Sequence, residues 1–358
     1  METTAASEKL SFLAGPSLNE SDHFDPSNCS VCQVALLIHS VSLPIILAAG
    51  LFGNIFNFII MLSPANRQMT CCLFFAALSV SDNTVLLGAM IHMIKEKIMV
   101  ERTMDSNLCL SYAYSFNLGA SCSGWFIVVI TFLRFNAVCN IFKKQIEMTR
   151  KMALVLMLAI VVACVLLNLP VIYTAQLLGR SACPAYSRRG KFTDIWVWVV
   201  TVMFFLIPLA LVTYFNIRIY RKIHKRGIGT LDSSQSNSVS RELDVLTSSD
   251  SGPSHNPDSP GISSNVTNKR TEHKVSKMII VISAAFVCLS FPQYMRYAFF
   301  TNLPGSELKF LMFHITNKLF IINHAINFYL YCLSGAKFRK DFIKLLKKPY
   351  EWIKKLLD

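Results

Sequence analysis

The chain has 358 residues, of which 53% are hydrophobic and only 16% are charged, and its formal net charge is +14. This composition excludes an ordinary soluble protein, because apolar stretches of about 20 residues, long enough to cross a bilayer as helices, recur along the chain. The basic excess could suggest a nucleic-acid partner. The positive residues follow a membrane pattern instead, and we expect no nucleic acid to bind.

Seven apolar stretches follow one another, and each must be helical, because lipid offers no hydrogen-bond partner to an open backbone. We place the spans at residues 35–62, 70–94, 107–139, 152–178, 194–220, 275–301 and 308–333. The predicted fold is an all-α membrane protein, a seven-transmembrane helix bundle with a short amphipathic eighth helix. We expect three regions: a disordered extracellular N-terminus (1–34), the transmembrane domain (35–333), and an amphipathic helix with a cytoplasmic tail (334–358).

Lys and Arg concentrate in the connections after spans 1, 3, 5 and 7, whereas the segment before span 1 is net acidic. Because cytoplasmic loops carry the excess of Lys and Arg, we expect a multi-pass plasma-membrane protein with its N-terminus outside and its C-terminus in the cytoplasm. Asn19 and Asn28 begin glycosylation sequons in the outer segment. That segment lacks the pattern of a cleavable signal peptide.

Four cysteines fall on the predicted outer face, where disulfides persist. Cys109 begins span 3 and Cys183 lies between spans 4 and 5, so a bridge between them would pin that connection over the mouth of the bundle. Cys29 and Cys32 either bond to each other or remain free.

The connection between spans 5 and 6, residues 227–268, is rich in Ser, Asp, Asn, Pro and Gly. It cannot bury enough apolar surface to offset the entropy of ordering, so we expect it to be disordered. Its hydroxyl groups concentrate between 233 and 264. If phosphorylation regulates the protein, this loop should carry it; the alternative is an inert linker.

After span 7, Phe338, Phe342 and Leu345 or Leu346 fall on one helical face with lysines opposite. This pattern predicts a helix that lies along the membrane surface in contact with lipid. We expect Pro349 to end it.

Polar groups in the middle of a membrane span are costly and are candidates for function. Asp82 in span 2 is the clearest, and Asn54, Ser123, Asn323 and Asn327 lie at comparable depths in other spans. A carboxylate with hydroxyl and amide oxygens suits a small cation such as sodium, completed by water. The alternative is a polar packing network with Asp82 neutral.

Arg134 lies near the inner end of span 3, and Pro170, Pro208 and Pro292 lie inside spans 4, 5 and 6. Each proline removes a helix hydrogen bond and favours a kink, which can serve as a hinge. We find no His/Glu metal motif, nucleophile–base pair or phosphate loop, so the sequence does not predict an enzyme.

Taken together, these residues resemble the rhodopsin-like (class A) G-protein-coupled receptors over about 35–346. The residues that carry the resemblance are Gly53-Asn54, Leu78–Asp82, Cys109 with Arg134, Cys183, Pro208, Phe286 with Pro292, Asn327 with Tyr331, and Phe338-Arg339. The ending of span 7 and the span 3 run before Arg134 look closest to invertebrate neuropeptide receptors of the FMRFamide and myosuppressin kind.

The resemblance implies a mechanism in which an outer ligand shifts an existing equilibrium and the inner end of span 6 swings out to admit a heterotrimeric G protein. It assigns activation and coupling to Arg134, Glu272, Phe286, Pro292 and Tyr331. It matches Asp82, Ser123, Asn323 and Asn327 to an allosteric sodium pocket, with no other cofactor. Arrestin and a receptor kinase would meet the serine-rich loop at 233–264.

The chain departs from the family pattern at several activation positions. These are Leu133, Phe135, Asn216, Ser290 and Phe328. Because Leu133 replaces the acidic neighbour of the arginine, we predict that Arg134 pairs instead with Glu272 and so holds the inactive state.

The ligand is less determined than the fold. Span 3 carries Phe116 where an amine receptor would carry an aspartate, so an amine ligand is disfavoured, and Ile321 stands where a light sensor would carry a lysine. The candidate pocket consists of His92, Phe116, Gln176, Gln293, Arg296, His314 and Asn317. We expect a short neuropeptide ligand. The alternatives are a chemosensory receptor for a small molecule, a receptor-like scaffold that does not couple, or a transporter.

Overall fold

The computed structural model describes residues 28–98, 106–139, 148–176, 191–225, 278–296 and 306–357, and within these ranges the chain is helical with no strand. The helices are α1 Ser30–Met61, α2 Thr70–Ile98, α3 Ser106–Cys139, α4 Arg150–Gln176, α5 Lys191–Thr201 continuing to residue 225, α6 Met278–Arg296, α7 Ser306–Ala325 and Asn327–Ser334, and α8 Ala336–Leu357. The predicted fold class is confirmed, and the helix boundaries differ from the predicted spans by a few residues.

Six helices, α1 to α6, are long and apolar enough to cross a membrane by length and composition, among the residues described. Helix α7 is more polar, since Asn317, Lys318, Asn323 and His324 lie within it, and its first segment ends at Ala325 before a break at Ile326. Large apolar side chains face outward, as on α4, where Val155 is 68% exposed. That surface suits contact with lipid tails.

The bundle has two ends, which we name after one residue each. At the Cys29 end, Cys29 and Cys32 pack against Phe310 near the start of α7. At the Arg134 end, the main apolar core fills the space between α2, α3, α6 and α7. Its largest buried side chains include Phe74, Phe75, Phe126, Phe286, Phe328 and Tyr331.

Small residues allow the helices to approach closely at the centre. A Cβ added to Gly50 of α1 would lie 2.7 Å from the Cβ of Ala325 in α7 and from a methyl group of Leu86 in α2. A Cβ added to Gly119 of α3 would lie 2.8 Å from the carbonyl oxygen of Ser81 in α2. These contacts set the spacing of α1, α2, α3 and α7.

Helix α5 contains a π-helical turn at Val202–Leu206, and the N–H of Ile207 bonds the carbonyl of Val202. Pro208 follows directly and has no N–H to donate. The wider turn therefore precedes the proline that was predicted to disturb this span. Pro170 lies inside α4, and Pro292 lies inside α6.

Two contacts, a hydrogen bond and a ring contact, connect helix α8 to the bundle. Asn66, between α1 and α2, donates from Nδ2 to Oδ2 of Asp341 at 2.9 Å, and the Phe342 ring lies 5.4 Å from that of Phe56. The prediction that Pro349 ends this helix is wrong, because α8 continues to Leu357. Pro349 removes one backbone donor but does not end the helix.

Candidate functional site

An aromatic layer crosses the bundle between the Cys29 end and Asp82. It comprises His92, Tyr112, Phe116, Phe320, Tyr294 and Phe205, contributed by five helices. Successive ring centroids lie 5.2, 6.0, 5.7, 6.0 and 4.4 Å apart. The last pair, Tyr294 and Phe205, is stacked with 13° between the ring planes.

The aromatic layer contains two residues of the predicted pocket, His92 and Phe116. Sequence reasoning missed Tyr112, Tyr294 and Phe320. Tyr112 lies four residues before Phe116 on the same helix face, and this spacing could have indicated it. The positions of Tyr294 and Phe320 depend on how α6 and α7 rotate toward α3, which the sequence does not specify.

The other polar residues predicted for the ligand pocket lie on α6, α7 and α4. Gln293 is buried, and its Oε1 has no hydrogen-bond partner among the described residues. The guanidinium carbon of Arg296 lies 4.9 Å from the centre of the Phe313 ring, a cation–π contact between the end of α6 and the start of α7. Asn317 lies half-buried on α7. Gln176 ends α4, and its side chain falls outside the described residues.

His314 packs at the interface of α1 and α7, beside the disulfide region. Its ring is 4.9 Å from His39 of α1 and 4.4 Å from Phe310, and the side chain is buried. Its ring also lies 5.3 Å from that of Phe313, which Arg296 contacts. The contact of His314 with a ligand stays a prediction.

Beneath the aromatic layer, a polar core surrounds Asp82, which is fully buried. The hydroxyl of Ser123 donates to Oδ1 at 2.7 Å, and the amide of Asn327 donates to Oδ2 at 2.7 Å. The Nδ1 atom of His324 lies 2.7 Å from Oδ1. Three helices, α2, α3 and α7, therefore meet at one carboxylate.

A further predicted residue, Asn54 of α1, joins this region. It donates from Nδ2 to the backbone oxygen of His324 at 3.0 Å, which joins α1 to α7. Asn323, next to His324 in the chain, is buried, and its part in the polar core stays a prediction. Sequence reasoning missed His324 because Asn323, its neighbour, already matched the expected polar position. An ionisable side chain inside a membrane span was the available signal.

These donors do not fit the sodium ion that the family resemblance implied. Hard cations are held by oxygen ligands. Here both oxygens of Asp82 accept hydrogen bonds, and His324 presents a ring nitrogen to the carboxylate in place of an oxygen. We therefore assign no sodium ion to the polar core around Asp82.

At the Arg134 end, Nη2 of Arg134 lies 3.3 Å from the sulfur of Cys71 in α2. The predicted partner, Glu272, lies outside the described residues, so the pairing stays a prediction.

The structure adds a contact between α3 and α6 that the sequence did not indicate. The hydroxyl oxygens of Thr131 in α3 and Ser283 in α6 lie 3.3 Å apart and are buried. The other predicted activation residues, Phe286 and Tyr331, are buried in the main core, and Pro292 lies within α6.

Cys29 and Cys32 form a disulfide, which resolves the alternative left open by the sequence. Cys29 also caps α1, because its sulfur accepts from the N–H of Cys32 at 3.2 Å. The predicted Cys109–Cys183 bridge cannot be followed, since Cys183 lies outside the described residues. Of the two glycosylation candidates, Asn28 is exposed and Asn19 lies outside the described residues.

A bundle of long apolar helices with an aromatic layer above a buried carboxylate defines an integral-membrane protein with a polar core. The chain belongs to the 7 transmembrane receptor (rhodopsin family), whose family model matches residues 53–331. This confirms the predicted class, and since the family consists of receptors, the protein is not an enzyme. It is a multi-pass protein of the plasma membrane.

The chain is similar to several characterised receptors. It is 21% identical to the cholecystokinin receptor of Xenopus laevis, over 91% of this chain and 80% of that receptor. It is 24% identical to the thyrotropin-releasing hormone receptor of Gallus gallus, over 84% and 76% of the two chains. It is 24% identical to the histamine H4 receptor of Mus musculus, over 66% and 61%. The narrower resemblance to invertebrate neuropeptide receptors stays a prediction.

Proposed function

We propose that this protein is a G-protein-coupled receptor for a short extracellular peptide. The observation that carries the proposal is the aromatic layer, with Gln293 next to Tyr294 on α6 and with Arg296 and Asn317 on the Cys29 side of the layer. Aromatic rings offer apolar contact area and the polar side chains offer hydrogen bonds, a combination typical of ligand sites. Arg296 could receive a carbonyl oxygen or an acidic group of the peptide.

Two of the three relatives named above are receptors for peptide hormones, and they cover more of this chain than the histamine receptor does. The position of Phe116 supports the same choice. Its ring packs between Tyr112 and Phe320 and offers no carboxylate to an amine. These relatives do not favour the alternative of a chemosensory receptor for a small molecule.

The proposed topology places the Cys29 end outside the cell and the Arg134 end in the cytoplasm. The distribution of Lys and Arg along the chain supports it. On this topology, Asn19 and Asn28 would be available for glycosylation, and Cys183 could reach Cys109 over the mouth of the pocket. The heterotrimeric G protein would bind beside Arg134. A receptor kinase and arrestin would meet the serine-rich loop at 233–264.

The proposal is tested by expressing the full chain with an amino-terminal tag and screening amidated peptides and small odorants side by side. G-protein dissociation sensors for each G-protein class provide the readout. We expect a peptide to activate at least one class, and Arg134→Ala at equal surface expression to abolish the response. Activation by small molecules alone would favour the chemosensory function. A tag that antibody reaches only after permeabilisation would contradict the topology.

A further inference from the structure

His324 holds a central position in the polar core. The residue is 1% exposed. Its backbone oxygen accepts from Asn54 of α1, its Nδ1 faces Asp82 of α2 at 2.7 Å, and its ring lies 4.9 Å from Phe320 in an edge-to-face arrangement. The side chain of His324 therefore connects the aromatic layer to the buried carboxylate of α2, and its backbone oxygen joins α7 to α1.

The contact between Asp82 and His324 joins Oδ1 to Nδ1 at 2.7 Å. With Asp82 ionised, the carboxylate only accepts hydrogen bonds, and Nδ1 of His324 is then the donor. Together with Ser123 and Asn327, the ring gives the carboxylate three donors, a set that can satisfy a buried negative charge without a metal ion. Ser123 and His324 contact Oδ1 and Asn327 donates to Oδ2, so hydrogen-bonding groups stand at both carboxylate oxygens, where a cation would otherwise bind.

The remaining ring nitrogen supports a structural role for the imidazole. Nε2 is buried and has no hydrogen-bond partner within the part of the chain that the structure describes. Leaving a polar atom unpaired in a protein interior costs free energy. The bond between Nδ1 and Asp82 must compensate for that cost, which explains how an imidazole is retained at full burial inside a membrane helix.

We propose that the imidazole of His324 takes the place of a bound cation beside Asp82, so that a permanent Asp82–His324 pair replaces ionic regulation and sodium does not stabilise this receptor. Because the ring also touches Phe320, a ligand that moves the aromatic layer would act on the pair directly. The proposal depends on the receptor fold but not on the peptide ligand, and its test requires no ligand.

The test measures the melting temperature, Tm, of the purified full chain in lipid nanodiscs, in NaCl and in N-methyl-D-glucamine chloride at equal ionic strength. We expect the wild-type Tm to be the same in both salts. His324→Ser removes the ring and leaves a hydroxyl oxygen beside Asp82. This variant should gain about 3 °C in NaCl, the shift expected for an ion present at about ten times its dissociation constant. Adding Asp82→Asn to the variant should abolish the gain.

His39→Ser is the matched control, because His39 is also a buried histidine of the bundle but packs against His314, away from Asp82. It should show no sodium effect. If His324→Ser does not fold, His324→Asn is used, since its amide oxygen can equally serve a cation. A wild-type Tm that rises in NaCl and loses the rise in Asp82→Asn overturns the proposal. A folded His324 variant that ignores sodium also overturns it, because the ring would then not be what excludes the ion.

Discussion

The hydroxyl groups of Thr131 in α3 and Ser283 in α6 lie 3.3 Å apart, fully enclosed at the Arg134 end of the bundle. Each hydroxyl carries one proton, so one of the two donates across this contact while the other donates to the backbone one turn earlier in its own helix, at Ile127 or Ile279. On the mechanism that the family resemblance implies, in which the sixth helix moves away from the third on activation, this contact would break. Within the described part of the chain, no ion pair joins α3 to α6 at this end.

We expect Ser283→Ala and Thr131→Val to raise ligand-independent signalling. A buried hydrogen bond contributes about 0.5–1.5 kcal/mol, so its loss should shift the equilibrium toward the open state by about two- to tenfold. G-protein activation without ligand, at equal surface expression, measures the effect. Ser121→Ala is the control, since Ser121 bonds Asn168 of α4 and not α6. Unchanged basal activity in both variants would argue against the link.

A second lock is predicted between Arg134 and Glu272. Because Leu133 removes the usual acidic neighbour of the arginine, Glu272→Ala should free Arg134 and raise basal signalling several-fold, the effect of losing a charge pair of about 1 kcal/mol. The same basal assay measures it. Glu307→Ala, at the exposed start of α7, provides a charge-matched control. Unchanged or lower basal activity in Glu272→Ala would count against the pairing.

The close approach of α1 to α7 makes Gly50 intolerant of any side chain. An added methyl group would lie 2.7 Å from Ala325 and from Leu86, so Gly50→Ala should cost about 1–3 kcal/mol through overpacking. We expect the Tm of the purified receptor to fall by several degrees. Gly88→Ala is the control, because its methyl group would meet Tyr112 at 3.4 Å, an ordinary contact. Equal Tm values for the two variants would contradict the packing described.

Gln293 offers a test that separates ligand binding from stability. Its Oε1 makes no hydrogen bond among the described residues although the side chain is buried. Replacing it with leucine should therefore leave the Tm unchanged or raise it. The potency of an activating peptide should fall about tenfold if the amide bonds the peptide. Concentration–response curves and thermal unfolding of the same preparation measure both. Unchanged potency would remove Gln293 from the pocket.

The predicted polar residues illustrate what a sequence can locate. Asp82, Ser123, Asn54 and Asn327 were each found because a polar group inside an apolar span is conspicuous, and the structure brings all four to one region. His314 was predicted for the ligand pocket, and in the structure its ring lies 4.9 Å from that of His39 on α1, a neighbour that the sequence did not indicate. Depth along a helix follows from residue number, but the direction in which the side chain points depends on the rotation of the helix in the bundle.

The number of spans, their helical state and their burial in a bilayer followed from the sequence alone, because the thickness of the hydrocarbon and its lack of hydrogen-bond partners leave a chain few choices. The tertiary structure alone decided that His324 faces Asp82, 242 residues away in the chain, and that Thr131 faces Ser283. These pairings depend on the distance between neighbouring helices, which glycine residues allow to be short, and on the rotation of each helix about its axis. The hydrophobic periodicity of a single span specifies neither.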